Sequence, residues 1–171
     1  RQWHRHRTWS YNEVSARYTE LPDKFYVPSI EGIGVQHASN KQMRQSVALS
    51  EAQELDRKIQ VAEYVGTCKE SYIRYKSLIE AGWPRELARM ILPVSTFSRM
   101  VATVDLHNLF HFLRLRLHSH AQWEIQQYAL AMLQLTHNVV PTATEAFLAT
   151  LMAGTGYAHL FPDGEKLVTP E

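Results

Sequence analysis

The longest run of helical periodicity in this sequence lies between about Asn40 and Ala81, and it constrains the fold more than any other segment. Ser50 and Gln53 within it have the spacing of a capping box, a side-chain pattern that begins many helices. The sequence Gly-Trp-Pro at 82–84 then interrupts the run. A chain with such a segment is expected to be rich in helix. The apolar residues that recur at helical spacings are Val47, Leu49, Leu55, Ile59, Val61, Tyr64, Val65, Tyr72, Tyr75, Leu78 and Ile79.

Shorter elements are predicted on both sides of this run. Pro84 is placed as the first residue of a short helix, PRELARMIL, that ends before Pro93. Residues 8–28 are predicted to be extended and residues 29–40 to form a surface loop, while STFSRMVATV is rich in β-branched residues and favours a strand. Further helices are predicted at about 106–115, 119–139 and 142–153. The sum is an α+β fold: a helix-rich single domain with a small, mostly antiparallel sheet.

The composition limits the classes of function that are open to the chain. Its 171 residues and 45% hydrophobic content are enough for one domain with a core, and a formal net charge of +1 is far below that of a protein that coats nucleic acid. Cys68 is the only cysteine, so neither an intrachain disulfide nor a multi-cysteine zinc site can form, which fits a reducing cytoplasm. No apolar run of about 18 residues is present. We therefore predict no membrane span and no nucleic-acid partner.

Arginines next to apolar residues point to an anionic ligand. The chain opens on a basic and aromatic stretch, RQWHRHRTW; Arg89 lies in an apolar helix, and Arg114 and Arg116 end another, LFHFLRLRL. A guanidinium beside so much apolar surface needs an anionic partner, either a carboxylate in a structural ion pair or a ligand phosphate. Several such arginines together favour phosphate binding. Because no Rossmann or P-loop glycine motif is present, side chains would have to hold any nucleotide.

The histidines leave a metal site open as an alternative. His107 and His111 are four residues apart and would share a helix face, and His118 and His120 follow them. Asn108 stands where the metalloprotease motif HExxH carries its general base. We predict no metal, with histidines that stack on an anionic ligand or lie at the surface, and keep a His-ligated metal-dependent hydrolase as the alternative. A third interpretation takes RQWHRHRTW as a strip that binds RNA or DNA.

Two candidate nucleophiles lack the surroundings that would activate them. Ser15 has no GxSxG elbow, and its neighbours Glu13 and Arg17 suit ligand binding better than acyl transfer. Cys68 lies in the middle of a predicted helix with no adjacent histidine, so it is predicted to be a small packing residue. Cys68 is therefore not expected to attack a substrate, while for Ser15 a structural role and a nucleophilic role both stay open at this point.

Three blocks of the sequence resemble the flavin-dependent thymidylate synthases. In RHRTWSYNEVS, the triplet Arg5-His6-Arg7 is followed after seven residues by Ser15, which is similar to the signature of that family. PRELARMILP and NLFHFLRLRLHSHAQWEIQQYA resemble two further blocks in the same order, so the resemblance covers roughly residues 1–150. It implies a homotetrameric enzyme, with active sites where subunits meet, that converts dUMP to dTMP. Methylenetetrahydrofolate would give the carbon, and NADPH would give the hydride by way of FAD.

The resemblance also implies a role for each matching residue. Arg116 and Ser15 would be the catalytic residues, Arg116 by polarising the uracil and Ser15 by positioning it. Arg17 and Arg89 would neutralise the dUMP phosphate. The dUMP-binding set would be Gln2, Trp3, His4, Arg5, Glu13, Val14, Ser15, Ala16, Arg17, Arg89 and Arg116. The FAD-binding set would be Arg5, His6, Arg7, Glu13, Asp105, Leu106, His107 and His111.

Some positions depart from the family pattern. Asp105, Leu106, His107 and His111 stand where some members carry asparagines and an arginine, and a carboxylate at Asp105 would repel a pyrophosphate unless it bonds a ribose or an amide. A regular helix would place His107 and His111 about half a turn from Arg116. Either the helix ends before Arg116 or its two faces serve different ligands.

Family members also carry further residues ahead of the motif. We therefore expect residues 1–154 to be a catalytic domain that lacks its N-terminal part, followed by a C-terminal tail at 155–171. On the same ground, the fragment alone is expected to fold poorly or to bind FAD weakly.

Overall fold

The structure is a computed structural model that describes residues 2–41 and 43–161. Its α-helices are α1 (Ile30–Ile33), α2 (Glu51–Glu80), α3 (Arg85–Ala88), α4 (Leu106–Arg116), α5 (Trp123–Val139) and α6 (Pro141–Met152). Short 3-10 turns lie at Trp3–Arg5, Arg89–Ile91 and Ala158–Leu160. The strands are β1 (Ser10–Glu13), β2 (Val35–Gln36), β3 (Arg44–Gln45) and β4 (Met100–Thr103). Strand β1 pairs with β4, and β2 pairs antiparallel with β3, so the predicted helix-rich α+β class is confirmed.

The long predicted helix is present as α2, although it begins later than the periodicity indicated. Ser50 accepts a hydrogen bond from the backbone N–H of Gln53, and the Gln53 side chain accepts one from the N–H of Ser50. This complete capping box fixes the first turn at Glu51, so Val47 and Leu49 lie ahead of the helix. At the other end, Gly82 adopts a φ of +86° and lets the chain turn back on the last carbonyls, which ends the helix at the predicted interruption.

Other boundaries differ from the predictions for local reasons. The predicted loop at 29–40 contains α1, because the Ser29 hydroxyl accepts a hydrogen bond from the backbone N–H of Gly32 and caps a helical turn. Only the last part of STFSRMVATV is the strand β4. Pro84 is the N-cap of α3 and not its first residue.

The chain divides into two compact units. The first comprises Arg1–Ser10 and Ala102–Glu171, and the second comprises Tyr11–Val101. In the first unit the apolar faces of α4, α5 and α6 form the core, because residues three or four positions apart turn to the same side of each helix. Its fully buried side chains are Phe112, Leu113, Leu117, Ala129, Leu133, Thr144, Leu151 and Leu160.

The second unit is built on the C-terminal half of α2. Tyr75 is fully buried, and its hydroxyl accepts a hydrogen bond from the backbone N–H of Leu21 (3.4 Å). Cys68 is buried with its sulfur 3.8 Å from the hydroxyl of Ser95, so the predicted packing role is confirmed. The boundary between a catalytic domain at 1–154 and a tail at 155–171 stays a prediction, and residues 162–171 lie outside the described residues.

Among the helices of the described residues, none is long and apolar enough to cross a bilayer.

Candidate active site

The residues that the sequence singled out are divided between the two units. The first unit holds the start of the motif, 2–7, and the helix α4 with Asp105 ahead of it. The second holds the end of the motif, 13–17, and Arg89.

In the first unit, the 3-10 turn Trp3–Arg5 gives the three residues of the RHR triplet different surroundings. The backbone N–H of His6 donates to the carbonyl of Trp3 (2.9 Å), which ends the turn. The side chain of His6 is then buried, with 7% of its surface exposed, while Arg5 and Arg7 on either side are exposed. Two cations therefore face solvent around one buried imidazole.

The buried imidazole lies in an aromatic cluster, which we define as Trp3, His6, Trp9, Phe112 and Tyr128. The Phe112 ring stacks on Trp3 (4.9 Å between centroids) and meets His6 edge-on (4.7 Å). Trp9 lies 5.0 Å from Phe112, and Tyr128 of α5 lies 5.6 Å from Trp3. Packed aromatic rings of this kind fix one another's orientation, so the cluster holds the motif against α4 and α5.

His6 is also hydrogen-bonded to Arg116, the last residue of α4. The Nε of Arg116 donates to the Nε2 of His6 at 3.0 Å. Burial first, and then the nearby Arg116 and His111, lower the pKa of His6 from 6.5 to about 4. Burial and the nearby Arg5 likewise lower the pKa of Arg116, although a guanidinium remains charged. The pair is thus a neutral imidazole and a half-buried cation.

The structure shows how far α4 extends. The helix continues through Arg116, so the alternative in which it ends earlier is wrong. His111 and Arg116 both act on His6, which shows that positions on two sides of the helix influence one buried ring. His107 and His111 themselves are exposed.

The side chain of Asp105 forms hydrogen bonds at the start of α4. Its carboxylate accepts hydrogen bonds from the backbone N–H of Asn108 (2.9 Å) and from the Asn108 side chain (2.6 Å). These bonds, the side-chain one first, lower the pKa of Asp105. The residue is therefore the N-cap of α4, and its contact with FAD stays a prediction, as does that of Leu106, the first residue of the helix.

Gln2 provides a polar group next to the aromatic cluster. Its amide nitrogen donates to the side-chain oxygen of Gln122, and the nitrogen of Gln122 donates to Glu124 (2.7 Å). The Oε1 atom of Gln2 is buried, and no hydrogen-bond partner for it exists in the part of the chain described. A buried acceptor of this kind calls for a donor from a ligand or water. His4, in the same turn, is exposed.

The histidines that suggested a metal site serve other contacts. The Nδ1 of His118 accepts a hydrogen bond from the backbone N–H of His120 (3.1 Å), and its ring packs edge-on against Tyr157 (5.2 Å). In residues 2–41 and 43–161, no group of three or more His, Cys, Asp or Glu side chains could hold a metal ion. The alternative of a metal hydrolase is not supported.

In the second unit, the end of the motif forms a turn. The Ser15 hydroxyl accepts a hydrogen bond from the backbone N–H of Arg17 (3.3 Å), and the Ser15 carbonyl accepts from Tyr18 and Thr19. The serine thus shapes its own turn, as polar residues often do. Ala16 is buried beneath it.

The strand before that turn is held by residues ahead of β4. The carboxylate of Glu13 accepts a hydrogen bond from the hydroxyl of Ser98. The backbone N–H of Val14 donates to the carbonyl of Arg99 (2.9 Å). Glu13 and Val14 are both exposed, so their side chains are accessible to a ligand.

Arg17 joins this turn to the helix that precedes Arg89. Its Nε lies 3.4 Å from the Glu86 carboxylate, with 53% of each side chain exposed. Glu86 is three residues before Arg89, which is exposed and has no ion pair or hydrogen bond through its side chain to any described residue. Arg17 is therefore paired with a carboxylate, whereas Arg89 is not paired with any described residue.

The sequence analysis did not identify the residues whose side chains contact the predicted site residues. Glu86, Ser98, Phe112 and Gln122 each contact a predicted site residue through tertiary structure. Glu86, Phe112 and Gln122 lie inside blocks that carry the family resemblance, which was the one signal available. Ser98 has no pattern that separates it from other polar residues.

Comparisons with known proteins identify the family. The model of the family described as thymidylate synthase complementing protein matches residues 1–142. The chain belongs to this family. The resemblance seen in the sequence is therefore confirmed, and it extends over both units.

Individual relatives with similar sequences belong to the same family. The chain is 48% identical over 148 residues to the flavin-dependent thymidylate synthase of Dictyostelium discoideum, a match that covers 86% of this chain and 47% of the relative. It is 45% identical over 155 residues to a flavin-dependent thymidylate synthase of Thermus thermophilus, covering 90% of this chain and 54% of the relative. The chain thus spans about half the length of these curated relatives.

A solved structure is similar as well. The UMP/dUMP methylase PolB of Streptomyces cacaoi, bound with 5-Br dUMP, is 35% identical with a TM-score of 0.74, and the match covers 86% of this chain and 64% of that one. The same enzyme bound with 5-Br UMP gives a TM-score of 0.76 at 35% identity, covering 86% of this chain and 66% of that one.

Proposed function

We propose that this chain carries the catalytic region of a flavin-dependent thymidylate synthase, which methylates dUMP to dTMP. The observation that carries the proposal is the side chain of Arg116, a half-buried cation bonded to a neutral imidazole. No carboxylate pairs with it among the described residues. A cation left uncompensated in a partly dry site stabilises negative charge that develops on a ligand.

The residues of the chain would divide the work on dUMP. Arg116 would stabilise negative charge on the uracil ring, and Gln2 would use its buried acceptor to receive a donor from the nucleotide. Arg17 and Arg89 would bind the phosphate, because a planar guanidinium matches its oxygens. Ser15 would hold the turn, and with it the neighbouring ligand groups, in place. Trp3, His4, Arg5, Glu13, Val14 and Ala16 would complete the nucleotide site.

The residues present fit a flavin. Arg5 and Arg7 are exposed cations on the two sides of His6, which suits the pyrophosphate of FAD. Bound FAD would supply the hydride that NADPH provides, with methylenetetrahydrofolate as the carbon donor. The Asp105 carboxylate accepts its hydrogen bonds from Asn108 within α4, so it is held at the start of the helix without a donor from the cofactor. His107 and His111, exposed on α4, would stack on or donate to the cofactor.

The proposal extends to assembly and place of action. A homotetramer with active sites where subunits meet would bring together residues of several chains. We place the enzyme in the cytoplasm, where its one cysteine stays reduced.

The test is product formation by the full protein with FAD, NADPH, methylenetetrahydrofolate and dUMP. We expect dUMP-dependent oxidation of NADPH and one dTMP for each NADPH consumed. Arg116→Ala should lower the rate by about 100- to 1,000-fold, because a positioned charge donor is lost, while the flavin spectrum of the purified protein is unchanged.

Two outcomes would contradict the proposal. The absence of dTMP with all substrates present would refute the reaction, and retained turnover in Arg116→Ala would remove Arg116 from it. A parallel assay with UMP tells a strict dUMP enzyme from one that accepts both nucleotides.

A further inference from the structure

His6 is the one residue of the RHR triplet whose side chain is turned inward. Its ring is enclosed by Phe112 (4.7 Å, edge-on) and Trp9 (6.3 Å), and Trp3 stacks on the far side of the cluster. A ring enclosed in this way cannot change its orientation without disturbing its aromatic neighbours. Its polar atoms are therefore fixed in space.

The hydrogen bond to Arg116 defines the protonation state of that ring. An arginine nitrogen can only donate, so the Nε2 of His6 must accept, and the imidazole must be neutral with its proton on Nδ1. Arg116 and His111, both on α4, also disfavour a positive charge on the ring. Protonation of His6 would remove the acceptor and place two cations in contact.

The hydrogen bond to His6 involves the Nε atom of Arg116 and does not involve its two terminal nitrogens. The terminal nitrogens of Arg116 make no hydrogen bond to any residue in the part of the chain described. Since the bond at Nε fixes the plane of the group, the direction in which the two terminal amines point is also fixed. They are the atoms available to a ligand.

We propose that His6 is a positioning residue that orients Arg116 through a neutral hydrogen bond. The inference rests on the proposed function, because it assigns a purpose to the orientation of Arg116. A carboxylate at the same place would also orient the guanidinium, but its negative charge would cancel the field that the arginine exerts on a substrate. A neutral acceptor fixes the geometry and leaves the charge intact.

The pKa of His6 agrees with this role. Burial, Arg116 and His111 together lower it to about 4, so the imidazole remains an acceptor throughout the neutral range. At a usual pKa near 6.5, a substantial fraction would be protonated at pH 6 and the bond would be lost there.

Two polar substitutions that differ by one methylene test the proposal. The amide oxygen of glutamine reaches the position of a histidine Nε2, whereas that of asparagine reaches only the position of Nδ1. We expect the kcat of His6→Asn to be about 10- to 100-fold below that of His6→Gln, the cost of misplacing a catalytic group by about 1 Å. The KM for dUMP should change little in both. Comparable kcat values in the two variants, or a lower value for His6→Gln, would overturn the proposal.

A second measurement does not depend on turnover. Nitrogen NMR of the imidazole in wild-type protein should show a neutral ring with its proton on Nδ1 at pH 7. In Arg116→Ala the pKa of His6 should rise toward 6.5, because a cationic neighbour is removed. A proton on Nε2, or an unchanged pKa, would refute the contact even if dTMP is formed. If wild-type protein makes no dTMP, the reaction fails while the contact is judged by the NMR result alone.

Discussion

At the scale of single residues, neighbours in the sequence have opposite surroundings. Arg5 and Arg7 are exposed while His6 between them is buried, so the charge of the opening stretch is at the surface and its neutral member is inside. The ion pair between Arg17 and Glu86 is half-exposed, and such pairs contribute about 0–1 kcal/mol to stability. The ion pair therefore orients the Arg17 side chain more than it stabilises the fold.

The structure predicts that a side chain at Gly156 would destabilise the folded protein. It adopts a φ of +88°, and a Cβ built there would lie 2.2 Å from the Nε2 of His118. Gly156→Ala should lower the free energy of unfolding by roughly 2–4 kcal/mol, since backbone strain and a displaced ring add. Urea unfolding measures it.

Gly82 is the matched control for that substitution. Its φ of +86° is nearly the same, but a Cβ there would meet nothing within 4 Å. Gly82→Ala should therefore cost only the backbone strain, about 1–2 kcal/mol. Equal losses in the two variants would show that the His118 ring moves aside at no cost.

At the scale of elements, the ends of the helices are fixed by local hydrogen bonds and their buried faces by tertiary contacts. Asp105 begins α4 and the capping box begins α2, as polar residues at those positions do. The long helix α2 nevertheless buries only Cys68 and Tyr75 fully, both in its C-terminal half. Its first turns therefore depend on the cap more than on packing.

Removal of the cap should destabilise this helix measurably. Ser50→Ala removes the hydroxyl that accepts from Gln53, and we expect a loss of about 1 kcal/mol. Ser77→Ala, on an exposed position near the other end of α2, should change stability by less than about 0.5 kcal/mol. Thermal unfolding followed by circular dichroism compares them, and equal melting temperatures would contradict a role for the cap.

At the scale of the whole molecule, His6 links stability to pH. Its pKa is 6.5 when unfolded and about 4 when folded, so the unfolded chain binds the proton more readily between these values. This contribution to stability is complete above pH 6.5 and is lost as the pH falls toward 4. The free energy of unfolding of the wild type should therefore fall more steeply over that range than that of His6→Gln.

The exposed Ser77 supplies the control for this pH dependence. Ser77→Ala should keep the wild-type slope of stability against pH, because a serine hydroxyl does not titrate in this range. If His6→Gln also kept the wild-type slope, the imidazole would not be the group that titrates.

The class of fold, the α-helical regions other than α1, the family and the set of candidate site residues could all be predicted from the amino-acid sequence. This was possible because helical periodicity, capping residues and a dense motif are local patterns that require no knowledge of the rest of the chain. The capping box at Ser50 and the interruption at Gly82 were recognisable for the same reason, although the periodicity indicated a start near Asn40.

Which of those residues contact one another became known from the folded structure. The bond between His6 and Arg116 joins positions 110 residues apart, and the contact of Arg17 with Glu86 depends on how a turn meets a distant helix. The neutral state of His6 follows from burial among rings supplied by Trp9 and Phe112, and burial is a property of packing. Sequence patterns specify what a residue can do chemically, whereas its partner and its dielectric surroundings exist only once the chain is folded.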